Sequence, residues 1–498
     1  MPVEDDPRAW SAFRKNVVLI LIASASMIAG LAANIQNPAI ADMEADLPAT
    51  ASEISLSISL FICIQGFMPL LWSAISEVKG RKLVYVVSIA IFTAGSVVVA
   101  TSKTIALVIA FRCIQATGSS AVMAIGAATL ADIFDPVERG TKVASLFNLD
   151  PSLAPIMGGV LTTGFNWRAP FWFLAAVSGL SCDTFRRERS LTYQSVLKSR
   201  LKSRSVAASA ATSCTVTVVE KEKEAPIPVE PSISPDLEKQ QVESEWRPSD
   251  VSDAVVATAA LPTIKLALRD VNPIKPLWQV LRRMNNVVIL FASGLMFAFN
   301  FVVVYTASRT LGSGYGYNAL KIGLVLLSFG IGSLAGSVLG GRWSDKKLSQ
   351  LKAANGGLSY PEMRLKSTTY GLCLLPPSIL AFGWVSAKHV HVSAICVVLF
   401  FCGFFAVWAY TSTLAYIVDA NNGRSSTVVA ANSAFRGLSA FVAVEVAVPL
   451  QNAVGDGWMY TIWAGLMIFV GALVYLVIRK GGKWREAGEA KERGTAAS

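Results

Sequence analysis

The sequence predicts an all-α membrane protein: two six-helix bundles around a central cavity, joined by a long polar linker. Three observations carry that expectation. Apolar residues make up 53% of the 498 residues and charged residues 15%, against the roughly 25% charged expected of a soluble domain, and mean hydropathy is +0.50. Apolar runs near the roughly 20 residues needed to cross a hydrocarbon core recur along the chain. Those runs do not alternate at period two, so helices rather than barrel strands satisfy the backbone inside lipid.

In order, the first-half spans fall at about 17–40, 54–76, 83–102, 104–131, 143–163 and 169–182, and the second-half spans at about 287–307, 320–341, 368–387, 391–418, 427–450 and 458–478. The chain then divides into a tail (1–16), a six-span bundle (17–182), a linker (183–286), a second bundle (287–478) and a tail (479–498). Within the linker, about 203–260 holds the run SVAASAATS, the charged KEKE at 221–224 and prolines 226, 228, 231 and 235. Such a composition buries too little apolar surface to order itself and reads as disordered. The basic stretch 186–204 is placed along the inner leaflet.

The net charge of +11 reports topology. With the N-terminus inside, 37 of the 44 lysines and arginines fall on one side. The exceptions are Lys103, Arg168, Arg309, Lys321 and Lys388 in outer loops, with Arg112 and Arg436 inside spans. Both termini are therefore expected in the cytosol, and nucleic acid is not an expected partner. Glu4, Asp5 and Asp6 precede a first apolar run too long for a cleaved signal, so span 1 reads as an anchor. Of seven cysteines, six lie in spans and Cys214 in the linker, with no CxxC pair. They read as packing residues, neither a disulfide framework nor a metal site.

Two loops carry related signals. Glu77-Val-Lys-Gly80-Arg81-Lys82 follows span 2, and Gly340-Gly341-Arg342-Trp343-Ser344-Asp345-Lys346-Lys347 follows span 8. An acid beside paired bases on a tight glycine turn, once in each half, points to a duplicated transporter. The first loop resembles motif A of the major facilitator superfamily. Arg112-Cys-Ile-Gln115-Ala-Thr-Gly118 is similar to its motif B, and Pro151-Ser-Leu-Ala-Pro155-Ile-Met-Gly158-Gly159 to the antiporter motif C. With Ala131-Asp132 to Gly140 and Val418-Asp419 to Ser426, the chain resembles the twelve-span fungal drug:proton antiporters of the quinidine-resistance and dityrosine-transporter subgroup.

That resemblance implies the major facilitator fold, no cofactor and no enzymatic activity. It implies a monomeric, multi-pass plasma-membrane protein exporting small organic molecules against protons by alternating access. Amphipathic or cationic, drug-like, polyamine-like and dityrosine-like substrates are the implied classes. It further implies a conformational latch of Glu77, Gly80, Arg81, Lys82 and Asp132, repeated at Asp345, with a purely structural ion pair as the alternative. A proton-driven importer of the same fold is the alternative to export.

Residues that are costly to bury supply the remaining candidates. Arg112 costs about 2.5–3.5 kcal/mol in a membrane helix, so it faces protein or water unless it snorkels outward; Gln115 lies one turn away on its face. The family implies that Arg112 helps couple proton movement. Glu445 and Arg436 stand nine residues apart in span 11, about 180° around the helix, and cannot simply pair. Glu445 is a candidate proton carrier, because a carboxyl taken out of water holds its proton more readily, or a site for a cationic substrate; the alternative is an anchor for another helix. Arg436 reads as support for a neighbouring helix. Asn34, Gln36 and Asn37 in span 1, Gln65 in span 2, Gln115 in span 4, and Asn300 with Tyr305 in span 7 are candidate cavity residues, each alternatively an interhelical hydrogen bond. Gly332, Gly336 and Gly340 form a small-residue packing face rather than a dinucleotide loop. His389 and His391 have no third ligand nearby, so no metal is expected.

Span 6 is short as an apolar run. Pro170 to Cys182 covers ~20 Å against a hydrocarbon core of ~30 Å. Span 5 is compressed, and Asp150 stands where motif C has glycine. These features admit a lesion or altered splice junction, or a second proton site at Asp150, and they raise the rival expectation of a non-transporting or decayed membrane protein.

Overall fold

The computed structural model describes residues 10–133, 150–187, 274–358, 360–421 and 424–497, and every regular element among them is helical. Span 1 is Ala12–Asn34, capped by Ser11, whose hydroxyl accepts from the Arg14 amide. It stops short of the predicted boundary because Pro38 offers no amide to continue the ladder. The chain passes through a 3₁₀ turn, Asn37–Ala39, into a short helix, Ile40–Asp46. Span 2, Ala51–Lys79, starts on a capping box: Glu53 Oε2 accepts from the Thr50 amide at 2.8 Å, and Thr50 Oγ1 from the Glu53 amide at 3.3 Å. Gly80, at φ +90°, is the single residue between span 2 and span 3, Arg81–Thr101. Only glycine takes that backbone angle without strain.

Span 4 is Ile105–Ile133, span 5 Asp150–Gly164 and span 6 Ala169–Arg187. The expected linker lies outside the described residues between 188 and 273, as does the start of span 5 before 150. After a short helix, Ile274–Leu281, come span 7 (Met284–Ser313), span 8 (Ala319–Ala354), the helical turn Glu362–Leu365, span 9 (Thr369–Ala387) and span 10 (Val392–Asp419). Spans 11 and 12 share Ser425–Ala497 and are separated by Gly455 at φ +75°.

One boundary and one turn are corrected here. The apolar run of span 6 is short, but its helix has 19 residues, or ~28 Å at 1.5 Å each. It continues past Cys182 because Phe185 still finds a buried partner: its ring stacks on Tyr85 of span 3 at 4.8 Å. Nine segments among the described residues are both long and apolar enough to cross a membrane, with spans 11 and 12 counted as one; spans 5 and 6 fall outside that set. The second correction concerns Gly340-Gly341, which make no turn. Span 8 runs straight through them to Ala354. Its glycine face packs on span 10, where a Cβ at Gly332 or Gly336 would lie 2.0 Å from Phe400 O or 2.2 Å from Phe404 O. That contact, with Gly340 against Trp408, bears out the packing reading of these glycines.

The halves meet along two seams at the end of the fold remote from both chain termini, here the far end. Span 2 packs against span 11, with Gly66 against Gly437 near mid-helix. Span 5 packs against span 8.

Candidate functional site

The spans 2–11 seam is polar at its far end. Ser59 Oγ donates to Glu445 Oε1 at 2.5 Å, Ser55 Oγ lies 3.4 Å from the same oxygen, and Ser55 Oγ also donates to Val444 O at 3.0 Å. One helix turn separates the two serines, so both hydroxyls face one carboxylate. Beside them the buried Tyr305 of span 7 donates to Ala51 O at 3.3 Å. Glu445 therefore anchors one half of the chain to the other, and remains only half-buried.

The spans 5–8 seam is built from backbone. A Cβ at Gly159 would sit 2.5 Å from Ala319 O, and one at Gly323 would sit 2.5 Å from Pro155 O. Thr163 Oγ1 accepts from the Leu320 amide at 3.0 Å. On its other side span 5 rests on the break in span 1, where a Cβ at Gly158 would be 2.0 Å from Ile35 O. The glycines and Pro155 of the antiporter-like motif thus wedge span 5 between span 1 and span 8. The Pro151 side chain lies outside the described residues.

Arg112 does not snorkel. It is wholly buried, and its Nη1 donates to Ala32 O at 2.9 Å and to Gln115 Oε1 at 2.7 Å. Gln115 Nε2 in turn donates to Ser96 Oγ at 2.7 Å. Phe61 covers the guanidinium at 4.1 Å, with Phe171 at 5.8 Å. No carboxylate pairs with Arg112 among the described residues. Its charge instead meets a carbonyl at the C-terminal end of the broken span 1, where the helix dipole is negative. Gln115, expected along the cavity, is enclosed in this network.

The remaining candidates separate. Gln36 is buried with neither amide atom partnered, Asn37 Nδ2 reaches Asn34 Oδ1 at 3.3 Å, and Gln65 Nε2 bridges toward Ala29 O and Ser119 Oγ. Asn300 turns back to its own helix, donating to Met296 O. A water-sized void of about 10 Å³ lies inside the first bundle, lined by Ala29, Ser119 and Ser178 among others. Its size excludes an organic substrate.

At the near end, Arg81 is buried and donates to Ser76 Oγ at 3.1 Å; the Glu77 and Asp132 side chains lie outside the described residues, and Lys82 is half-buried. In the second half the arrangement is complete. Arg364 Nη1 meets Asp345 Oδ1 at 3.1 Å while its Nε meets Asp419. Sequence reasoning missed Arg364, which stands 19 residues after Asp345 because span 8 continues. The available signal was Asp419, which ends span 10 as Asp132 ends span 4. Ser55 and Ser59 were also missed, since a serine in an apolar run carries no mark of its partner. Arg436 supports neighbouring helices: its Nη1 donates to Tyr410 OH at 2.9 Å and its guanidinium lies 3.8 Å over Phe297.

Residues 22–444 match the Major Facilitator Superfamily. The chain belongs to this superfamily. It is a multi-pass membrane protein with the major facilitator fold. It is 28% identical to the MFS antiporter QDR3 of Candida albicans over 97% of this chain and 80% of that one. It is also 28% identical to the multidrug transporter DTR1 of Candida glabrata, over 96% and 86%. The human organic anion transporter MFSD10 shares the fold at TM-score 0.57 and 16% identity, covering 93% of this chain and all of that one. The superfamily relatives are transporters and not enzymes.

Proposed function

We propose that the chain is a proton-coupled exporter of small amphipathic organic molecules, working by alternating access between bundles at 17–182 and 287–478. One observation carries this reading: Glu445, an acid within a membrane span, sits on the seam between the halves against Ser55 and Ser59 of the other half. Enclosing a carboxyl costs less when it is neutral. Protonation from the far side thus favours sealing that seam, and opening at the near end releases the proton. Arg112 serves coupling as a fixed cation on the broken end of span 1, and the Asp345–Arg364–Asp419 cluster as a near-end latch.

The relatives' printed descriptions, an antiporter and a multidrug transporter, support the direction and substrate breadth. The one-sided distribution of 37 basic residues supports cytosolic termini. The plasma membrane and a monomeric state complete the proposal.

The purified full chain in proteoliposomes tests it. A panel of amphipathic dyes added to the wild type is expected to drive proton movement that Glu445→Gln abolishes. Dye flux independent of the proton gradient sinks the coupling. Accumulation down the proton gradient identifies an importer.

A further inference from the structure

Within the apolar stretches of the spans, three described side chains carry full charge: Arg112, Arg436 and Glu445. Two of them are enclosed in contacts already described. Arg112 has no exposed surface, and Glu445 is held by hydroxyls across the seam. Arg436 shares with Arg112 an unpartnered buried Nε but, unlike Arg112, is only half-buried.

It stands eleven residues into the helix that starts at Ser425, ~16 Å along its axis. Its Nη1 is satisfied by Tyr410 and one guanidinium face by Phe297, but its Nε is buried without a partner. No carboxylate pairs with it among the described residues. The lipid-facing stripe of span 11 is Leu438, Val442 and Val446, all about half exposed. At ~100° per residue Arg436 stands ~200° from Leu438, away from lipid. One turn before it, Asn432 accepts from Ser293 Oγ at 2.7 Å and directs its Nδ2 to Tyr410 OH at 3.5 Å. Phe297 continues into Phe301, the ring centroids 4.9 Å apart. A half-buried cation with no carboxylate partner and an unsatisfied Nε–H, beside a phenol, an amide and an aromatic wall, has the chemistry that receives a carboxylate attached to a flat apolar body.

We propose that Arg436, Tyr410 and Asn432 form a subsite for the carboxylate of amphipathic organic acids, whose apolar body lies against Phe301. This rests on the reading of the chain as a transporter and narrows its substrates to anions. Arg436 is then a substrate-binding residue as well as a helix support.

Matched probes test the subsite: radiolabelled 2-naphthoate and 2-naphthylmethylammonium, which share a ring system and differ in charge. Equilibrium binding to the purified full chain gives the naphthoate-to-ammonium ratio, expected above one for the wild type. Arg436→Gln is expected to lower that ratio by tenfold or more, on the order of one charged hydrogen bond. Arg436→Lys, which keeps the charge but loses the fork, is expected to lower it less, and covers the case in which the glutamine variant does not fold. A wild-type ratio below one, or a ratio unchanged in both variants, overturns the subsite. Transport in proteoliposomes separates the two proposals. Arg436-dependent naphthoate binding by a protein that moves neither probe keeps the subsite and sinks the transport reading. Transport of the ammonium probe alone keeps transport and sinks the subsite.

Discussion

Between spans 5 and 8 the chain halves touch through backbone: Gly159 on Ala319, Gly323 on Pro155, and one amide bond to Thr163. Between spans 2 and 11 the far-end contact runs through side-chain hydrogen bonds, Glu445 with Ser55 and Ser59, and Tyr305 with the Ala51 carbonyl. The first seam responds to volume, because no space is left for a methyl group. The second responds to charge. On the proposed reading, sealing against leak and sensing protons fall to different seams, since tight backbone contact leaves no room for a solvated carboxyl.

The largest effect is expected at the backbone seam. Gly159→Leu should hold spans 5 and 8 apart, abolish dye efflux from cells and destabilise the protein by about 1–3 kcal/mol or more, measured as loss of thermal stability in detergent. Wild-type efflux would break the distinction between the seams. Next is Glu445→Gln, which keeps an acceptor for both serines and so leaves thermal stability within about 1 kcal/mol, yet should remove substrate-dependent proton movement. A stability loss as large as that at Gly159 would make Glu445 chiefly a structural anchor. Arg364→Ala removes both ion pairs of the near-end cluster. With Arg364 side chain 22% exposed, about 1 kcal/mol or less is expected in stability. Labelling of a near-end cysteine should rise if the cluster is a latch, and unchanged labelling reduces it to a surface pair. Ser59→Ala should cost about 0.5–1.5 kcal/mol, read as a lower thermal midpoint in detergent. The smallest effect is Gly341→Ala. Nothing lies within 4 Å of the added methyl, so helix propensity should make it neutral or stabilising by up to about 1 kcal/mol.

Much of the fold was legible because its causes are local. The spans follow from run length, the break in span 1 from Pro38, and the glycine face of span 8 from its four-residue repeat. Span 6 misled because hydropathy drops at Asp183 while the helix is held on by Phe185, whose partner Tyr85 lies 100 residues earlier. The turn expected at Gly340-Gly341 misled for the reverse reason. Glycines weak in an isolated helix are favoured where span 10 presses directly on the backbone.

At the candidate site, residue chemistry alone singled out Arg112, Arg436 and Glu445, because a charge in an apolar run is costly wherever it points. It also excluded direct pairing of Arg436 with Glu445 by helical angle. Only the tertiary structure decided their environments. Arg112 is enclosed on the broken end of span 1, Arg436 is half-buried against Phe297 and Tyr410, and Glu445 meets Ser59 across 386 positions of sequence. Helix periodicity fixes which side of a span a residue occupies, whereas the neighbour on that side is fixed by packing of the whole bundle. The price of a buried charge is therefore written in the sequence, and the group that offsets it is not.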